Sequence, residues 1–249
     1  MTLILNTWIF EKDVKNGALQ TDLIDRVAKL GADGIEVRRE YFKNIGDESV
    51  VIGNKAKENN LIVNYSVPDV VFLEDGKLNP KLPQYFEEGK TMGISKIKFN
   101  TGNFDEFKGD LVAEFNKLPI NEIEMNVEND QTRVSGTIDT IDTFLGAAYQ
   151  AGLTQLGYVY DLGNWAFTHG DANEAAARLS KYTHYIHLKN TIDDGNKLVT
   201  SDDLDEGVFD WVDIVKRLPK NVQYALEYPM DSDEQIAQQI KLFNTKAGD

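Results

Sequence analysis

Glu128, Asp161, His187 and Glu227 each sit near the end of a short apolar stretch of the 249-residue sequence: NVEND, YVYD, YIHLK and YALEYP. Three carboxylates and one imidazole make a ligand set for a divalent cation. Oxygen-rich donors with one histidine suit Mn²⁺ first, with Mg²⁺, Co²⁺ and Zn²⁺ as alternatives. The same groups would repel one another if gathered in a buried space without a cation. Whether they gather depends on the elements that carry them.

Those elements read as strands. Apolar, β-branched or aromatic runs occur at LILNTWI, GIEVR, LIVNYSV, SKIKFN, EIEMNVE, LGYVYD, HYIHLK and QYALEY. Helix-like segments lie between them. LQTDLIDRVAKLG places Leu23, Ile24, Val27 and Leu30 on one face, with Thr21 as the expected N-cap and Gly31 as the stop. FDEFKGDLVAEFNKL and TIDTIDTFLGAAYQAG read as helices along their length, DANEAAARLSKY starts at an aspartate cap, and DEQIAQQIKLF closes the chain. Strands alternating with helices imply a parallel sheet. Eight such units in a chain of this size predict α/β architecture, a single (β/α)8 TIM barrel over residues 1–249. An open doubly wound sheet is the competing fold, but no G-x-G-x-x-G follows the first strand.

Strand parity then sorts the side chains. Alternate residues face opposite sides, and in a barrel the apolar set meets the helices. In EIEMNVE that sends Ile123, Met125 and Val127 outward and Glu124, Asn126 and Glu128 inward. The same rule turns Glu36, Arg38, Lys98, Gly157, Val159, Asp161, Tyr185, His187, Lys189, Ala225 and Glu227 inward. Glu128, Asp161, His187 and Glu227 thus come from four successive strands, at the C-terminal mouth where barrel enzymes place their chemistry. Glu124 and Asn126 lie deeper and are expected to bond to Arg38 or Lys98.

Composition narrows the partners. There are 26 Lys plus Arg against 41 Asp plus Glu, a formal charge of −15, and three histidines. Such a surface repels nucleic acid and acidic membranes. The absence of cysteine excludes disulfides, thiolate metal sites and a cysteine nucleophile. No window holds about 18 consecutive apolar residues, and MTLILNTWIFEKD lacks a basic leader region, so the expected setting is the cytoplasm.

The pieces DGIEVR, NVEND, YDLGNW, YIHLKN and YALEYP together resemble the xylose isomerase-like TIM-barrel family of sugar isomerases and epimerases, which also includes endonuclease IV. The resemblance spans the whole chain. It implies metal ligands at Glu128, Asp161, His187 and Glu227, and carbohydrate metabolism as the role. It departs from the family where Asn164 stands in place of a histidine, and where Asn129 and Asp130 follow the strand-five glutamate. Those departures bear on any second or third metal and on the substrate.

The function implied is metal-dependent isomerisation or epimerisation of a ketose or keto-polyol through an enediolate. Glu128 and Glu227 are the expected proton-transfer groups, and Trp8, Glu36, Lys98, Asn164 and Lys189 the expected substrate contacts. The alternative is dehydration of a keto-inositol or related acid on the same barrel. A nuclease would need more histidines than three, and an inactive binding protein would hold no metal. Homo-oligomerisation is not readable. No glycine-rich phosphate cradle follows strands seven or eight, so an unphosphorylated substrate is expected.

Overall fold

A computed structural model of the chain describes residues 1–247. Eight parallel strands close a barrel: β1 (Thr2–Asn6), β2 (Gly34–Arg38), β3 (Ile62–Phe72), β4 (Lys96–Gly102), β5 (Glu124–Glu128), β6 (Leu156–Asp161), β7 (Thr183–Leu188) and β10 (Gln223–Leu226). The strands neighbour one another in chain order, and β10 closes onto β1. This is the expected TIM barrel. Between β7 and β10 lies a separate antiparallel hairpin of β8 (Thr191–Asp193) and β9 (Leu198–Thr200). The sequence reading did not place this hairpin. Its signal is Asp194-Gly195, with Gly195 at φ 89°, a turn chemistry between two short β-prone runs.

The parity holds around the ring. Register pairs Asn6 with Glu36, Arg38 with Ser66, Ser66 with Lys98, Lys98 with Asn126, and Asp161 with His187. Residues paired across parallel strands point the same way, so every candidate ligand faces the interior. Met125, Val127, Tyr158, Tyr160, Ile186, Leu188, Tyr224 and Leu226 face the helices and are buried among them. The interior is layered. Lys96 and Glu124 pair at the base; Ile4, Val159, Tyr185 and Ala225 form an apolar plug above; the polar mouth lies beyond it. Gly157 belongs to this interior for a steric reason. A Cβ there would lie 2.2 Å from Asn126 Oδ1 and 2.3 Å from His184 Nδ1.

Two helix expectations need correction. The helix Gln20–Leu30 has Leu19 at its N-cap, whose N–H donates to Asp22 at 3.2 Å. Thr21 lies inside the helix, buried against its neighbours. Gly31 ends it in the left-handed region as expected, at φ 81°. The stretch from Phe104 is not one helix. It gives a 3-10 turn at Phe104–Glu106 and a short helix at Leu111–Phe115, capped by Asp110. Phe104 and Phe107 instead fold onto Phe72, with ring centroids at 5.1 and 5.2 Å. Aromatic packing of this kind adds about 0.5–1.5 kcal/mol per pair beyond area burial, enough to override a weak helical preference. The other three helices expected, found at Ile138–Gln150 from Thr137, Ala172–Leu179 from Asp171 and Asp233–Lys246 from Ser232, start at capping side chains.

Candidate metal centre

The ends of β5, β6, β7 and β10 bring Glu128, Asp161, His187 and Glu227 together. One ligand atom from each lies within 4.8 Å of the others, and all four residues are buried. His187 Nδ1 is 2.8 Å from Glu128 Oε1 and 3.1 Å from Glu227 Oε2. Yet neither His187 Nδ1 nor Glu128 Oε1 has a hydrogen-bond partner. Buried polar atoms are normally satisfied. Two unpaired ligand atoms 2.8 Å apart, inside a ring of carboxylates, fit a divalent cation.

Neighbouring groups fix each ligand. His187 Nε2 is 3.2 Å from Glu36 Oε1, and a carboxylate can only accept. That contact holds a proton on Nε2 and turns Nδ1 to the ligand cluster. Asn6 Oδ1 accepts from Trp8 N at 2.8 Å, so its amide nitrogen points to Glu36 and to Glu227 Oε1. Asn129 Oδ1 accepts from Asp161 N at 2.9 Å, while its amide nitrogen donates to Asp161 O at 2.9 Å. Asn164 donates to Asp161 twice, from its backbone at 3.1 Å and its side chain at 2.9 Å.

Three cations enter the same space. Lys98 binds Glu128 Oε2. Lys189 lies 2.5 Å from Asp161 and 3.0 Å from Glu227. Arg38 lies 3.0 Å from Glu227 and 2.7 Å from Glu40. Burial opposes ionisation of Glu128 and Glu227, but the surrounding charges, with Lys98 and Lys189 foremost, outweigh it and hold both carboxyls well below the usual range. Asp161 differs. Burial, reinforced by Glu128 and Glu227, pushes it up to about 7 despite Lys189. Burial also disfavours charge on His187, but Glu36, Glu227 and Glu128 raise its pKa.

A cavity of about 290 Å³ opens above the cluster. Glu128 and Glu227 line it, as do Trp8, Lys98, Asn164 and Lys189. Asp161 and His187 are fully buried and are not among the residues lining it. Glu36 is placed elsewhere than expected. It sits behind His187, 1 % exposed, and is not among the residues lining the cavity. Glu124 and Asn126 also take other partners than Arg38 or Lys98. Glu124 accepts from Lys96 at 2.5 Å and from Asn126 at 3.0 Å. Trp8, inside the strand-like run LILNTWI, lies in a 3-10 turn just beyond Asn6, where β1 ends. A larger cavity of about 600 Å³, at the opposite end near Lys96, Glu124 and His184, holds no such donor set among the described residues. Asn6, which donates to Glu36 and Glu227, is an interior residue that the parity argument overlooked. Leu3 and Leu5 point outward on β1, so Asn6 had to point inward.

No protein-family profile and no curated protein matches the chain in sequence. Solved structures do match in fold. The probable 3-DHS dehydratase AsbF of Bacillus anthracis superposes with a TM-score of 0.74 at 15 % identity, over 98 % of this chain and 99 % of that one. The IOLI protein, solved with a bound zinc atom, gives 0.68 at 13 %, over 100 % and 98 %. A D-psicose 3-epimerase solved with D-fructose gives 0.67 at 13 %, over the full length of both. The chain has the fold of the xylose isomerase-like TIM barrels.

Proposed function

We propose that this protein is a divalent-metal-dependent sugar isomerase or epimerase acting on a ketose or keto-polyol. One observation carries the reading. Of the four clustered ligands, Glu128 and Glu227 are the two that also line the cavity, and both approach His187 Nδ1. They can therefore meet one bound carbon from two directions. A zinc-holding neighbour and an epimerase with the same fold support the assignment.

A divalent ion on Glu128, Asp161, His187 and Glu227 would polarise a sugar carbonyl and acidify the adjacent C–H. Glu128 or Glu227 removes that proton, leaving an enediolate. The other glutamate, after taking up a proton from solvent through the cavity that it lines, returns it to the opposite face, which inverts the carbon; return to the neighbouring carbon moves the carbonyl. Lys98 and Lys189 line the cavity and supply positive charge to the developing oxyanion. Trp8 offers an apolar face to the sugar, and Asn164 a polar contact beside Asp161. Mn²⁺ suits the donor set best.

A second reading is a dehydratase acting on an acidic keto-polyol. Arg38, Lys98 and Lys189, all lining the cavity, favour it, as does the dehydratase neighbour. Nucleic acid suits neither a net charge of −15 nor a cavity of about 290 Å³. The deciding experiment measures metal content, then incubates ketoses and acidic keto-polyols in deuterated water. Deuterium at the inverted or adjacent carbon supports isomerisation or epimerisation. Loss of water supports the dehydratase. Full metal-independent turnover by Glu128→Gln would sink both.

A further inference from the structure

The Lys189 ammonium sits between two members of the donor set, 2.5 Å from Asp161 Oδ2 and 3.0 Å from Glu227 Oε2. It is buried, with the residue 5 % exposed. Its stem passes Gly163, where a Cβ would lie 2.6 Å from Lys189 Cγ, so the glycine opens the route. The other cations behave differently. Lys98 takes one oxygen of Glu128 and leaves Oε1 unpaired. Arg38 binds Glu227 through Oε1 and divides itself with Glu40. Among the described residues, Lys189 alone joins two of the four ligands.

Building on the metal reading, we infer that Lys189 is an internal counter-cation that competes with the divalent ion for Asp161 and Glu227, and that metal loading releases it toward the substrate. An ammonium and a divalent cation on the same two carboxylates would stand a few ångströms apart. In a buried site such like charges repel strongly, so one must withdraw. The lysine has somewhere to go. Its Nζ is already 5.4 Å from the ring centroid of Trp8, which lines the cavity, and an aromatic face stabilises a cation. A lysine so released adds a positive charge where substrate oxygens enter. Metal and substrate binding are thereby coupled through one side chain.

Calorimetric titration of the metal-stripped full chain with Mn²⁺ tests this, run on the wild type, Lys189→Met and Lys189→Gln. Both variants should bind Mn²⁺ at least about tenfold more tightly than the wild type, the scale set by losing a close competing charge. Two variants are used so that a packing defect in one leaves the other to decide; thermal melting verifies folding. If the wild type binds and neither variant binds more tightly, the inference falls while the metal centre stands. If none of the three binds, the metal centre falls and takes the inference with it. If only the variants bind, the competition is upheld and metal-dependent turnover by the natural chain is refuted.

Discussion

His187 uses its two ring nitrogens differently. Nε2 faces Glu36 at 3.2 Å and Nδ1 faces the ligand cluster. An outer carboxylate that orients a ligating histidine typically contributes about 10–100-fold in metal affinity. Glu36→Gln keeps one acceptor oxygen, which Asn6 also claims. Mn²⁺ affinity should fall by about that factor, read by calorimetry, with little change in melting temperature. An unchanged affinity would remove Glu36 from the centre. The sequence offered Glu36 as an inward group at the end of a strand, hence as a substrate contact. It could not show that His187 stands between Glu36 and the cavity, because that depends on how far each strand is staggered against its neighbours.

At the scale of elements, the barrel depends on how each strand fills its inward positions. Gly157 is the clearest case. Gly157→Ala places a methyl against Asn126 and His184. Overpacking of this kind costs about 1–3 kcal/mol, which a urea denaturation midpoint will show. Helix starts behave more simply. Thr137 accepts from Thr140 N at 3.2 Å, and Thr137→Ala should cost about 1 kcal/mol by the same measurement. The cap at Asp171 was legible because it acts between residues two and three positions apart, whereas Thr21, the other cap expected, lies inside its helix. The break at Gly109–Asp110 was not legible. Phe104 and Phe107 leave the helical pattern to reach Phe72, more than thirty positions away in the chain.

For the whole molecule, acid stability follows from carboxylates held by buried partners. Burial of Glu124 favours its neutral form, but the His184 ring 3.6 Å away and the ion pair with Lys96 prevail and hold it at about 2. Its unfolded value is 4.5, so its contribution is present above that pH and is lost as the pH falls toward 2. Glu124→Gln should flatten the fall in denaturation midpoint between those limits. Metal should act in the other direction. At about one hundred times its dissociation constant, a ligand binding only the folded chain adds about 2.7 kcal/mol, and Mn²⁺ should raise the melting temperature accordingly. A melting curve indifferent to Mn²⁺, Mg²⁺, Co²⁺ and Zn²⁺ would contradict the centre.

The sequence by itself determined the barrel and which face of each strand looks inward. Both follow from a period of two in the strands and their alternation with helices, and periodicity is a local property. It therefore brought Glu128, Asp161, His187 and Glu227 to one mouth before any coordinates. Only the tertiary structure decided who touches whom there: Lys98 with Glu128, Lys189 across Asp161 and Glu227, Glu36 behind His187, and Asn6 and Asn129 bracing the ring. Those pairings arise from barrel closure, which sets residues as far apart as Asn6 and Glu227 side by side. No pattern within one strand encodes such a distance.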